Sequence, residues 1–118
     1  IQTIAALSDS RDKTNIQPST YGLDFINKLN PVTFDWNMRD GAKVGNKDLG
    51  FIAQELLEIG NNEEHRLVYE SNPDKLEARY SNLIPMMAKA IQELSAKNDS
   101  LETSNQALIA RIEALENA

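Results

Sequence analysis

Apolar residues in the last third of the chain recur at heptad spacing. With Ile84 taken as position a, the a series is Ile84, Ile91, Asn98, Asn105 and Ile112, and the d series is Met87, Leu94, Leu101, Leu108 and Leu115. From Ser81 onward there is no glycine, and the one proline, Pro85, falls in the first helical turn, where backbone donors are unpaired anyway. Five heptads in one register predict a coiled coil within residues 81–118. The competing reading is a single amphipathic helix laid on a globular part. About 30 residues at 1.5 Å each would project ~45 Å, further than so small a domain covers. A lone strand would leave the d leucines wet, at roughly 1.5–3 kcal/mol each. The pattern therefore predicts an oligomer, without telling a dimer from a trimer. Asn98 and Asn105, at consecutive a positions, cost stability; they either fix register and strand number or mark a weak stretch that tolerates polarity.

Upstream the pattern is shorter-ranged. Tyr21, Leu23, Phe25, Ile26 and Leu29 approximate one face of a helix starting near Ser19 or Thr20, either of which can cap it. Asn30-Pro31 stops that helix. "PVTFDW" alternates Val32, Phe34 and Trp36 against Thr33 and Asp35, a half-buried strand that places Phe34 and Trp36 in the core. Residues 37–48 read as a loop punctuated by Gly41 and Gly45. "LGFIAQELLEIGN" starts extended and becomes a short helix closed by Gly60. "HRLVYES" and "LEARY" read as short strands around the turn "NPD". The expected class is α+β: a small mixed helix and strand part followed by a long C-terminal helix.

Charge and composition then narrow the function. The chain's 118 residues suffice for one domain with an appended element. Eighteen acids against 12 bases give a net charge of −6, which disfavours nucleic acid and anionic membranes as partners. No apolar run reaches the roughly 18 residues of a membrane span. There is no cysteine, hence no disulfide framework or thiolate metal site, which fits a reducing compartment. The single histidine, His65, beside two glutamates, reads as a surface residue. The acids of residues 37–48 lack the spacing of a calcium loop. No metal or other cofactor is expected. The chain opens on Ile1 and reads as part of a longer polypeptide.

One stretch carries candidate chemistry. "SDSRDK" holds Ser8 and, five positions on, Lys13. Serine needs a base to become a nucleophile, and lysine serves as one only in its neutral form, favoured by desolvation or a cationic neighbour. Arg11 is such a neighbour, whereas Asp9 and Asp12 oppose it. Read alone, the stretch is a charged turn, and Ser10 competes with Ser8 as the hydroxyl.

Four segments then appear in a telling order: "SDSRDKTNIQP", "GLDFINKLNPVTFDW", "DLGFIAQEL" and "YSNLIPMMAKAIQEL", followed by the heptads. This set resembles the C-terminal intramolecular chaperone domain of phage tail spikes and tail fibres, the autoprocessing peptidase S74 family, whose best-known members are the endosialidase tailspikes. The family pattern S-D-x-R-x-K is met by Ser8, Asp9, Arg11 and Lys13. The resemblance implies a homotrimer, so that the C-terminal helix forms a three-stranded coiled coil. It also implies assisted folding of an upstream triple β-helix in cis, then self-release by a serine–lysine dyad. Ser8 is then the nucleophile rather than Ser10, Lys13 the general base and Arg11 a supporting residue. The cut falls between Ser8 and Asp9, with Leu7–Ser8 as the alternative. Residues 1–7 are then the remnant of the preceding fibre, 8–80 the chaperone part and 81–118 the trimerisation helix. The implied location is the host cytoplasm during virion assembly.

Overall fold

A computed structural model describes residues 5–118; the first four positions of the expected remnant, residues 1–7, lie outside the described residues. In chain order the elements are α1 (Leu23–Ile26), β1 (Val32–Asp35), β2 (Lys47–Gly50), α2 (Ala53–Ile59), α3 (Asn62–His65), β3 (Val68–Tyr69), β4 (Glu77–Ala78) and α4 (Leu83–Glu116). Single 3-10 turns stand at Ser10–Asp12 and Tyr80–Asn82. The chain is thus mixed helix and strand, with a long C-terminal helix.

α4 dominates the shape. Its 34 residues extend ~50 Å at 1.5 Å per residue. Only Leu83, Met86 and Ala90 are buried in it, and every residue from Ile91 on is exposed. The Cα radius of gyration is 21.5 Å, against about 13 Å for a compact chain of this length. The helix therefore projects, and the reading in which it lies along the globular part is excluded. Its first turns use two faces. Leu83, Met86 and Ala90 face the core, while Ile84, Met87 and Ile91, the start of the a/d series, face solvent.

The core forms where α1, α2, β3 and the base of α4 meet: Phe25, Leu56, Leu67, Val68, Leu83 and Met86, with Tyr21, Ile26 and Leu29 packed against it. α1 is shorter than its apolar pattern predicts. It begins at Leu23, not near Ser19, because Ser19 Oγ is spent on a local turn, accepting from the Tyr21 N–H at 3.1 Å. The orphan N–H of Leu23 instead donates to Glu93 Oε1 of α4, also at 3.1 Å. Gly22 makes this approach possible, since a Cβ there would overlap the Glu93 carboxylate and the Lys89 side chain.

Two antiparallel ribbons complete the fold. β1 pairs with β2 in the register Val32↔Gly50 to Asp35↔Lys47, and β3 pairs with β4 through Val68↔Ala78 and Tyr69↔Glu77. The alternation in β1 is as the sequence predicts, yet Phe34 and Trp36 are half-buried and lie outside the core cluster. A two-stranded ribbon gives each residue one neighbouring strand and no covering layer, so apolar alternation reaches only partial burial here. The two rings pack edge to face at 5.0 Å, and Trp36 Nε1 donates to Asp48 Oδ2 at 3.1 Å. The intervening loop is tied to the β3–β4 turn by Arg39, which donates to the Asp74 carbonyl.

His65 differs from expectation most sharply: it is buried. Its ring stands edge-on to Tyr21 and Phe25, with centroids 5.5 and 5.0 Å away. Nδ1 accepts from the Leu67 N–H at 3.2 Å, and Nε2 lies 2.8 Å from the Gly60 carbonyl. That pairing is the neutral imidazole with its proton on Nε2. The ring closes a tight corner, in which Asn61 and Arg66 flank α3 with φ of 63° and 56°. Asn62 holds Val68 through both its amide groups, at 2.9 and 3.0 Å.

Candidate functional site

The first described residues reach a 3-10 turn, Ser10–Asp12, and its geometry follows from two side chains, those of Asp9 and Arg11. Asp9 is the cap: its Oδ1 accepts the Arg11 N–H at 2.9 Å. The same carboxylate receives the Arg11 guanidinium in a two-pronged pair, Nε to Oδ1 at 3.1 Å and Nη2 to Oδ2 at 2.7 Å. The N–H of Lys13 closes the turn on the Ser10 carbonyl at 3.2 Å, after which the chain becomes extended. Residues 8–13 therefore fold back on themselves, and Lys13 Nζ meets Ser8 Oγ at 2.7 Å.

Electrostatics around the turn are simpler than its composition suggests. Asp9 and Arg11 take each other up. The Arg11 side chain, and then its backbone N–H, hold the Asp9 carboxyl below its ordinary 3.8, and the Asp9 carboxylate raises the guanidinium of Arg11. The expected tug on Lys13 by Arg11 from one side and Asp9 from the other is thus largely an internal pair. The resemblance implies a supporting part for Arg11; in the structure Arg11 pairs with Asp9 in a clamp that shapes the turn. Asp9 is the residue whose structural part sequence reasoning missed. An Asp two positions before an Arg is a cap-and-fork arrangement that the spacing does contain.

The structure brings the Ser8 and Lys13 side chains together, while among the described hydrogen bonds the Ser10 hydroxyl makes none to Lys13 Nζ. Both dyad candidates are exposed to solvent, as is Leu7. The a and d residues Ile84, Met87, Ile91, Leu94, Leu101, Leu108, Ile112 and Leu115 are likewise exposed along α4. Asn98 and Asn105 lie on the same open stripe. Among the described residues no group of three or more metal-ligating side chains converges, and no helix is long and apolar enough to cross a membrane.

No curated protein and no solved structure matches the sequence. A family model does: Peptidase_S74, chaperone of endosialidase, over residues 8–65. The matched segment starts at Ser8, two residues before the turn, and runs to the buried His65. Through this segment, just under half of the chain, the protein is similar to the Peptidase_S74 family, the chaperones of endosialidase.

Proposed function

We propose that the chain is an intramolecular chaperone that trimerises through α4, assists the folding of an upstream phage fibre or spike, and then releases itself by Ser8–Lys13 autoproteolysis. The observation that carries the catalytic half is the 2.7 Å contact between Lys13 Nζ and Ser8 Oγ. A neutral Lys13 in that position takes the serine proton as Oγ attacks a carbonyl. Attack on the Leu7 carbonyl passes through a five-membered ring, whereas attack on Ser8's own carbonyl needs a strained four-membered one. Cleavage between Ser8 and Asp9, the cut the family implies, then calls for a water activated by the dyad or for groups of a neighbouring chain. Because both side chains are exposed, the desolvation a lysine base needs comes from outside the single chain. The upstream fibre or a neighbouring protomer supplies it, and cleavage waits for assembly.

The chaperone half follows from the projecting helix. A triple β-helix is built from non-local pairings between chains, which form slowly and leave sticky edges exposed meanwhile. A local, fast-forming coiled coil holds three chain ends in register and raises their effective concentration to roughly millimolar. Cutting afterwards makes assembly kinetically irreversible.

A second reading, a non-catalytic trimerisation foot, draws on the solvent exposure of the dyad. The two separate in one experiment, with the natural upstream domain attached. Ser8→Ala and Lys13→Ala each abolish cleavage and leave a folded trimeric precursor, while Ser10→Ala cuts normally. Lys13→Arg also fails, since a guanidinium does not give up its proton to become a base. Normal cleavage in Lys13→Arg rules out the dyad and leaves the chaperone role standing. No cleavage in the unaltered chain favours the foot.

A further inference from the structure

At the base of α4 lies an apolar groove of about 450 Å³, lined among others by Ile26, Pro31, Leu49, Phe51, Tyr80 and Met87. Its walls are out of proportion to a solvent-facing surface. Leu49 is 74% exposed and Tyr80 50% exposed, and neither belongs to the core cluster. Leu49 sits on β2 opposite Thr33, a register that turns a large apolar side chain toward water in the single chain. Gly50 keeps the floor narrow, because a Cβ there would strike the Tyr80 hydroxyl, 2.6 Å away.

Where the groove opens decides what fills it. Its α4 wall is Leu83 and Met87. Met87 is a d residue, and Leu83, one before the a residue Ile84, is a g residue. The groove is therefore continuous with the exposed a/d stripe and lies on its g side. In a parallel coiled coil the g side of one helix faces the e side of its neighbour, and each helix axis stands about 8–10 Å from the next. The neighbour's e position at this level is Ala88, a side chain small enough for close approach, flanked by the a residues Ile84 and Ile91. We propose that the groove is occupied by a second copy of this chain, through the first turns of its α4. The globular parts are then gripped by the neighbouring helix rather than hanging from a self-contained coil, and Leu49 is an interface residue. This rests on the reading of α4 as a parallel coiled coil.

The chain contains no cysteine, so introduced thiols report contacts cleanly. Full chains carrying Leu49→Cys and full chains carrying Ala88→Cys are refolded together and treated with a short bis-maleimide. A covalent pair containing one of each is expected, and neither variant alone links to itself. Ile91→Cys, an a residue, serves as the control for the helix seam and links to itself. A linked seam without the mixed pair overturns the groove proposal and spares the coiled coil. An unlinked seam removes the coiled coil and the groove proposal with it. Leu49→Glu is expected to raise the concentration of half-assembly at least tenfold while the single chain stays folded, and an unchanged value overturns the proposal. Labelling of Leu49→Cys also tests self-coverage, using a chain made monomeric by Leu101→Glu and Leu108→Glu. If it is labelled there as slowly as in the assembly, the chain covers the groove itself, and the second copy is ruled out.

Discussion

Glu93, the eleventh residue of α4, accepts the backbone N–H of Leu23 across 70 residues of sequence, at 3.1 Å. A short helix with no side-chain cap of its own is thereby capped by the helix it packs on. Gly22 leaves the space that the Glu93 carboxylate occupies in making this bond. Gly22→Ala should destabilise the globular part by about 1–3 kcal/mol, as the new methyl pushes Glu93 and Lys89 aside. Glu93→Ala should cost less, about 0.5–1 kcal/mol, the usual cost of losing a cap at an exposed site. Glu93→Gln, which keeps a carbonyl acceptor, should fall between it and the native chain. Urea unfolding followed by tryptophan fluorescence measures all three, and an unperturbed Gly22→Ala would contradict the packing.

This bond also marks where sequence reasoning stops. The heptads of α4 are legible because helical period is a local property, and nothing distant has to be known to read it. The Ser8–Lys13 spacing is legible as a spacing, but the fold-back that joins them depends on the Asp9–Arg11 fork closing the turn between. Phe34 and Trp36 show the right alternation, while their depth depends on whether a second layer covers the ribbon. His65 sits between two glutamates and an arginine and looks solvated. Its burial depends on Tyr21 and Phe25, some forty residues earlier, arriving beside it.

The histidine's role makes a further prediction. His65 fills the core corner and bonds two backbone groups at once, the Leu67 N–H and the Gly60 carbonyl. His65→Ala leaves a cavity and strands a buried N–H, so the loss should be about 2–4 kcal/mol. His65→Gln can restore at most part of the bonding and none of the edge-on ring packing. Chemical denaturation should rank native above Gln above Ala. Equal stability in all three would mean the corner is not formed in solution. Cleavage chemistry should be unaffected by His65→Gln in a folded trimer, because the ring is no part of the turn at residues 8–13.

Sedimentation equilibrium should return three times the 13.2 kDa chain mass, with a monomer or dimer at micromolar concentration contradicting the trimer. Asn98 and Asn105 then act inside the seam. Asn98→Ile with Asn105→Ile removes two polar layers and should raise the thermal midpoint by roughly 5–10 °C. The same change should loosen strand number, so that species other than trimers appear. A more stable chain that remains strictly trimeric would show that the asparagines do not set strand number, while leaving the coiled coil itself intact.

The turn that presents Ser8 should respond to acid in a defined direction. Arg11 holds the Asp9 carboxyl below its ordinary value of 3.8, first through its side chain and then through its backbone N–H. A carboxyl depressed in the folded state stabilises that state above the unfolded value, and the stabilisation fades as pH falls through the folded one. The fork should therefore hold unchanged from neutral pH down to the ordinary carboxylate range and open only below 3.8. The Asp9 side-chain carbon resonance, followed by NMR, should titrate with a midpoint under 3.8, and the Arg11 amide should lose its protection over the same interval. Asp9→Asn keeps a cap for the Arg11 N–H but removes the charge, so the turn should persist in part and lose its acid transition. In the fused precursor that variant should slow cleavage without disturbing the trimer, because the fork shapes the loop that brings Lys13 to Ser8. A midpoint at or above 3.8 in the native chain would mean the fork does not form in solution, and the Ser8–Lys13 contact would then lack the clamp that the geometry assigns to it.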